Sequence, residues 1–224
     1  MRGVFVTGTD TGVGKTVVAA AICAAAGARG LRVAAFKPVV TGLEEPGDWP
    51  ADHELLAHAA SAGQTPDEVA PYRFGPPVSP HLAADLAGEA VDPERLIEHA
   101  RRQASRADAL VCEGVGGLLV PLANDYLVRD LIGELSLPVV IAARRGLGTI
   151  SHSLLTVEAA RAVALRVQAV VLTPWPDEPT AMELSNRDTI ARFAQLPVIG
   201  LPRTNPGHLA EAGAALPVSD WLAP

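Results

Sequence analysis

The feature that most constrains this chain is the stretch Gly8-Thr-Asp-Thr-Gly-Val-Gly14-Lys15-Thr16, set between a short apolar run and a long Ala-rich one. Gly3 to Thr7 reads as a strand ending at Gly8, and Thr9 to Gly14 as a turn. Lys15 to Ala28 reads as a helix, with no breaker before Gly27. A glycine-rich turn feeding a helix N-terminus aims backbone N–H groups inward and adds the positive end of the helix dipole, which makes it a cradle for phosphate. In such a loop Lys15 reaches the β- and γ-phosphates and the Thr16 hydroxyl coordinates Mg²⁺. Five residues separate Gly8 from Gly14, one more than the common G-x-x-x-x-G-K-[ST] spacing allows. A purely structural turn is the plain alternative, and the agreement of strand, loop, Gly-Lys-Thr and helix argues against it.

The rest of the chain repeats this alternation. Arg32 to Phe36 is a second apolar run, ended by Lys37-Pro38. Glu44 to Pro50 suits a mobile loop. Ala51 to Ala62 is expected to be helical, with Leu55, Leu56 and Ala59 on one face. Residues 71 to 80 hold four prolines and are expected to be irregular. Pro93 to Arg106 has the spacing of an amphipathic helix. Ala109 to Glu113 is then a strand ending in an acid, followed by Gly114-Val-Gly-Gly117. Val139 to Ala142, Val167 to Leu172 and Val198 to Leu201 are further strands, with a helix from about Ser151 to Ala164. The strands are continuous apolar runs, the mark of a parallel sheet covered on both faces. With 49% apolar and 4% aromatic residues, the core has to be built from Val, Leu, Ile and Ala. The expected fold class is α/β, a doubly wound, mostly parallel sheet of the P-loop NTPase type, as one domain over residues 1–224. Such sheets bind ligands at the carboxyl ends of their strands, where each of these motifs falls.

Several classes are disfavoured. The net charge is −7 and no Lys/Arg cluster stands out, so no nucleic-acid footprint is expected. The longest apolar run, Val17 to Ala28, is shorter than the ~20 residues a membrane span needs. No charged-then-apolar leader precedes the first motif. Cys23 and Cys112 lie in separate apolar stretches and read as buried free thiols. Together these point to a cytoplasmic protein. Partition-type and iron-protein-type ATPases carry a second lysine early in the phosphate loop, where this chain has Thr9, Asp10 and Thr11.

Glu113 ends a strand, where a phosphate-loop fold commonly places an acidic metal residue. A solvated charge in a Gly-rich turn is the competing reading. Asp52 opens a helix and reads equally well as an N-terminal helix acid.

Taken in order, these segments resemble dethiobiotin synthetase. Val6-Thr-Gly-Thr-Asp-Thr-Gly-Val-Gly-Lys-Thr16 is similar to that family's opening, extra loop residue included. Phe36-Lys-Pro-Val-Val-Thr-Gly42 is similar to its K-P-V-x-[ST]-G stretch, Ser79-Pro-His81 to its S-P-H segment, and Glu113-Gly-Val-Gly-Gly117 to its E-G-A-G-G turn. Leu147-Gly-Thr-Ile-Ser-His152 is similar to its L-G-x-x-N-H loop. The resemblance implies an ATP- and Mg²⁺-dependent ligase. Its substrate, 7,8-diaminopelargonate, takes up CO₂ as a carbamate, ATP phosphorylates the carbamate, and the second amine closes a cyclic urea. Positioning and charge neutralisation are then the main demands on the protein.

Carried over residue by residue, the resemblance makes Lys15 and Lys37 the catalytic cations, with Lys37 holding the carbamate and the γ-phosphate together. It places Thr11, Gly12, Val13, Gly14, Thr16 and Val17 on the phosphates. Mg²⁺ would fall to Thr16, Asp52 and Glu113. Gly114, Val115 and Gly116 are expected beside the nucleotide, and Thr41 on the substrate amine or carbamate. In the family the substrate's carboxylate tail reaches across a homodimer, which here implicates Gly148, Thr149, Ile150 and Ser151 of a second copy. His81 and His152 are expected to buttress loops. Thr173, Pro174, Pro202, Arg203 and Thr204 are expected around the base.

Two departures stand out. Ser151 replaces a usual Asn, and Thr173-Pro174 replaces an Asn-Asp pair whose Asn reads adenine in some members, which leads us to expect relaxed nucleotide choice. Two other readings compete with this one. A cobyrinate amidation enzyme of the same lineage would carry a glutaminase domain with a nucleophilic Cys. A nucleotide-switch ATPase would show slow, partner-dependent hydrolysis.

Overall fold

The computed structural model describes residues 1–45 and 47–223; Pro46, within the expected mobile loop, lies outside them. In chain order the strands are β1 (Gly3–Gly8), β2 (Val33–Phe36), β3 (Val39–Val40), β4 (Tyr72–Arg73), β5 (Ala109–Glu113), β6 (Pro121–Ala123), β7 (Tyr126–Leu127), β8 (Val139–Ala143), β9 (Val167–Trp175) and β10 (Val198–Pro202). The helices are α1 (Lys15–Ala28), α2 (Asp52–Ala59), α3 (Pro66–Val69), α4 (Pro80–Ala87), α5 (Pro93–Ala104), α6 (Val128–Leu135), α7 (Thr149–Arg161), α8 (Ala181–Ala194), α9 (Leu209–Gly213) and α10 (Val218–Trp221).

Six strands form one parallel sheet in the order β10-β9-β8-β1-β5-β2. Successive β1 side chains enter opposite cores: Val4 and Val6 pack with α1, α2, α9 and α10, while Phe5 packs with α5, α6, α7 and α8. A strand buried on both faces has no polar side to show, which is why these strands are apolar throughout. The chain leaves β1 toward β2 and β5, then crosses back to β8, β9 and β10, so the order reverses at β1. Crevices for ligands open at such switch points, and the phosphate loop follows β1 directly. Among the described residues no helix is long and apolar enough to cross a membrane.

Several boundaries differ from the sequence reading. The proline-rich 71–80 segment is not wholly irregular, because Tyr72–Arg73 pairs in parallel with Val39–Val40 before the proline pair begins. Pro80 opens α4, its missing N–H costing nothing in the first turn. Helix α2 stops at Ala59, and just beyond it the Ser61 hydroxyl accepts from Val33 N at the start of β2 and donates to Leu31 O. Strand β9 runs on to Trp175 because Pro202 of β10 stands opposite it. Helices α6 and α8 escaped notice, although both carry signals. Val128, Leu131, Ile132 and Leu135 have the spacing of one buried helix face. Thr180 and Glu183 form a capping box that opens α8. Both cysteines are buried, and burial pushes the Cys23 thiol up to about 12 and Cys112 well above its usual range.

Helix α9 lies unusually close to α1. A Cβ on Gly213 would stand 2.2 Å from Ala21 O and 2.8 Å from Ala25 Cβ, so only glycine permits this approach. Replacing Gly213 with Ala is therefore expected to cost about 1–3 kcal/mol in urea-unfolding stability. A loss under about 0.5 kcal/mol, typical of a surface site, would contradict this contact.

Candidate active site

The phosphate loop keeps the geometry its sequence implies. Gly14 sits at φ +89°, and a Cβ there would stand 2.6 Å from Thr173 Cγ2, so both conformation and space demand glycine. Lys15 folds back under the loop and donates to Asp10 O at 2.8 Å. Its pKa is lowered to about 8, first by burial and then by the Lys37 ammonium. A polyphosphate bound in this loop would raise it again, because a nearby negative charge favours the ammonium.

Next to Lys15 lies a cluster drawn from three strand or helix ends. Lys37 follows β2, Glu113 ends β5 and Asp52 opens α2. Lys37 Nζ stands 2.8 Å from Asp52 Oδ2 and 2.7 Å from Glu113 Oε1, and lies 3.4 Å from Gly114 O. Lys37 is 3% exposed and Glu113 fully buried. Burial opposes the charge on Lys37, but Asp52 and Glu113 outweigh it and hold its pKa above the ordinary range. Burial raises Glu113, with Lys37 pulling the other way. Burial would raise Asp52 too, but Lys37 and the Thr16 hydroxyl bring it below the usual range. The helix-acid reading of Asp52 thus misses its main partner, and Glu113 is no solvated charge.

The Thr16 hydroxyl is 2.9 Å from Asp52 Oδ1 and 2.8 Å from Glu113 Oε1. It carries one proton and can satisfy one carboxylate at a time. Among the described residues the buried Glu113 Oε2 has no hydrogen-bond partner. Three converging oxygens with one orphaned carboxylate atom form a donor set that suits a hard divalent cation, and Mg²⁺ needs few protein ligands when phosphates complete its shell.

Two cavities adjoin the phosphate loop, and the cluster lines the first of them. The first, about 690 Å³, is lined by Thr11, Gly12, Gly14, Lys15, Thr16, Val17, Lys37, Thr41, Asp52, Glu113, Val115 and Gly116. The second, about 620 Å³, is lined by Val13, Thr173, Pro174, Pro202, Arg203 and Thr204, and shares Gly12, Gly14, Val17 and Trp49 with the first. Residues from six separate segments are thereby brought together around the phosphate loop. Gly114 lines neither cavity and takes part only through its carbonyl. Gly148, Thr149, Ile150 and Ser151 also line neither cavity of their own chain. Thr149 instead turns inward, its hydroxyl 3.4 Å from that of Ser153. The His152 ring is exposed, and among the described residues the buried His81 Nδ1 has no hydrogen-bond partner.

The sequence reading missed several lining residues. Glu45, Trp49, Pro77, Val78 and Ser79 wall the first cavity, and Arg144, Arg145, Met182 and Glu183 the second. The two arginines follow the carboxyl end of β8, where the rule for parallel sheets would have found them. Asn186 Nδ2 donates to Arg145 O at 3.0 Å and Gly146 O at 3.3 Å, fixing this loop to α8.

The family model described as an AAA domain (AAA_26) matches residues 2–205. The ATP-dependent dethiobiotin synthetase BioD of Bacillus licheniformis is 40% identical over 201 residues, spanning 90% of this chain and 85% of its own length. The protein of the same name from Anaeromyxobacter dehalogenans is 46% identical over 194 residues, 86% of each chain. The Bacillus subtilis protein is 35% identical over 202 residues, 90% of this chain and 87% of its own. This chain belongs to the dethiobiotin synthetase family. Among solved structures, it is similar to a ParA family ATPase from Chlorobium tepidum (TM-score 0.57, 13% identity, 98% of this chain and 92% of the other). The cell division ATPase MinD of Pyrococcus furiosus is also similar (TM-score 0.55, 16% identity, 97% and 90%). At these identities the likeness is one of fold, and it is the expected P-loop NTPase fold.

In this family member the ion cluster has a measurable energetic signature. Lys37→Ala leaves the Glu113 carboxyl buried without its cation and is expected to cost about 3 kcal/mol in urea unfolding. Combining Lys37→Met with Glu113→Gln removes both charges and should recover most of that loss. A double variant no more stable than Lys37→Ala would show that the pairing is not what the fold depends on here.

Proposed function

We propose that this chain is an ATP-dependent dethiobiotin synthetase acting on 7,8-diaminopelargonate, CO₂ and ATP. The observation that carries the reading is the buried Lys37 ammonium beside Thr16 and Lys15, in a cavity that also presents Thr41. A transferring phosphoryl group needs cations at its oxygens and an oriented acceptor. One amine of the diamine takes up CO₂ and loses a proton, giving a carbamate. The carbamate oxygen attacks the γ-phosphorus of ATP, and ADP leaves. The second amine then attacks the carbamoyl carbon, phosphate departs with the C–O bond electrons, and a proton is released as the urea ring closes. Lys15 and Lys37 hold the phosphoryl oxygens, Lys37 also orients the carbamate, and Thr41 bonds the amine or carbamate. Bound Mg²⁺, held by Thr16, Asp52 and Glu113, would supply further neutralisation of phosphate charge.

The remaining assignments follow the family. The enzyme works as a homodimer, in which the substrate's carboxylate tail meets the Gly148–Ser151 segment of the second copy. The α7 N-terminus there offers N–H groups that suit a carboxylate. Its substrates are small molecules, with neither nucleic acid nor membrane among its partners, and its setting is the cytoplasm. The base enters the second cavity. Among the described residues no Asn or Gln side chain lines it, and Asn186 is already engaged by backbone carbonyls.

In a coupled ADP-release assay with Mg·ATP, ADP is expected only when diamine and bicarbonate are both present, and Lys37→Ala is expected to lower kcat about a hundredfold or more. ATP turnover that ignores the diamine would assign the chain to a nucleotide-switch ATPase. Relaxed base choice makes a separate prediction: kcat/KM for CTP and GTP should lie within about a hundredfold of that for ATP, since an unread base costs little discrimination. A larger preference for ATP would mean that the cavity reads adenine by another contact.

A further inference from the structure

A nucleotide with its base in the second cavity and its γ-phosphate beside Lys37 has to lay its α- and β-phosphates across the shared junction at Gly12 and Gly14. Lys15 faces the first cavity only. Thr9, Asp10 and Thr11 bring no positive charge to the outer lip of the loop. Arg144 does. It follows β8, whose Ala142 is registered against Gly8 of β1, so the sheet itself delivers the side chain to the loop. One guanidinium nitrogen donates to Thr11 O at 3.0 Å and lies 3.5 Å from Asp10 Oδ2. The same nitrogen would stand 4.0 Å from a Cβ on Gly12. The side chain is 60% exposed and lines the second cavity. Among the described residues its other donors have no acceptor, although a guanidinium has five in a fork that matches phosphate.

We propose that Arg144 is a phosphate-binding residue for the nucleotide, with its free N–H donors taking the α- or β-phosphate. This rests on the nucleotide site assigned above. Its exposed pairing with Asp10 is a weak tether and serves as a placeholder for the phosphate. The Asp10 carboxylate also accepts from Thr11 N at 2.7 Å through Oδ1. Asp10→Asn therefore keeps the loop cap and removes only the competing charge.

Calorimetric titration with ADP tests this, using the full-length protein and the variants Arg144→Ala, Arg144→Lys and Asp10→Asn. Loss of a charge-assisted contact is expected to weaken ADP binding about tenfold or more in Arg144→Ala. Arg144→Lys, which keeps the charge without the fork, should fall between that variant and wild type. Asp10→Asn should bind ADP as tightly as wild type or more tightly, and the KM for ATP should rise in Arg144→Ala with a much smaller change in kcat. ADP affinity within twofold of wild type in Arg144→Ala would overturn the assignment. So would Asp10→Asn weakening ADP as much as Arg144→Ala, since the arginine would then act only by tethering the loop. ADP binding is measured without diamine or bicarbonate, so a wild-type protein that binds ADP but shows no diamine-dependent turnover would refute the ligase reading and leave the Arg144 result standing.

Discussion

One buried ammonium organises this site. Lys37 sits away from water between the half-exposed Asp52 and the fully buried Glu113, and its ammonium offsets the cost of burying the Glu113 carboxyl. The pairing also fixes relative positions. Lys37 comes from the end of β2, Glu113 from the neighbouring β5 and Asp52 from the start of α2, so three elements are pinned at one point beside the phosphate loop. Thr16 joins the same cluster from the first turn of α1. The fold thereby supplies what a phosphoryl-transfer site needs before any ligand arrives: cations and oxygens already oriented, with little reorganisation left for the reaction.

The cluster also carries a built-in imbalance. Thr16 has one proton for two carboxylates, and among the described residues Glu113 Oε2 has no hydrogen-bond partner. Such unsatisfied buried groups are costly, and natural proteins retain them where a ligand completes the set. Burial and the Lys37 ammonium lower the pKa of Lys15 to about 8, and a bound polyphosphate would act against both. The architecture separates two regions along the sheet: the ion cluster gathers on the β2–β5 side of β1 and the second cavity on the β8–β9–β10 side, with the glycines of the phosphate loop between.

Much of this was legible in the sequence, for reasons that can be named. Strands buried on both faces must be apolar throughout, so β1, β2, β5 and β8 were visible as runs. The phosphate loop, Lys37 and Glu113 were visible because they stop those runs at the edge where ligands bind. Helices α6 and α8 were overlooked although their apolar spacing and capping box were present. The Tyr72–Arg73 strand was obscured by its prolines, which punctuate the segment without excluding a two-residue pairing ahead of them.

By itself, then, the sequence determined the alternation of strands and helices, the phosphate loop, and the residues with charge at strand ends, because local propensity and burial pattern are written residue by residue. The tertiary structure decided which of those ends meet. That Lys37 pairs with Asp52 and Glu113, that Trp49 lies at the junction of two cavities, and that Arg144 reaches the loop at Asp10 and Thr11 all depend on strand order. Strand order follows from packing two helical layers onto one twisted sheet, a long-range condition that no local stretch of the chain contains.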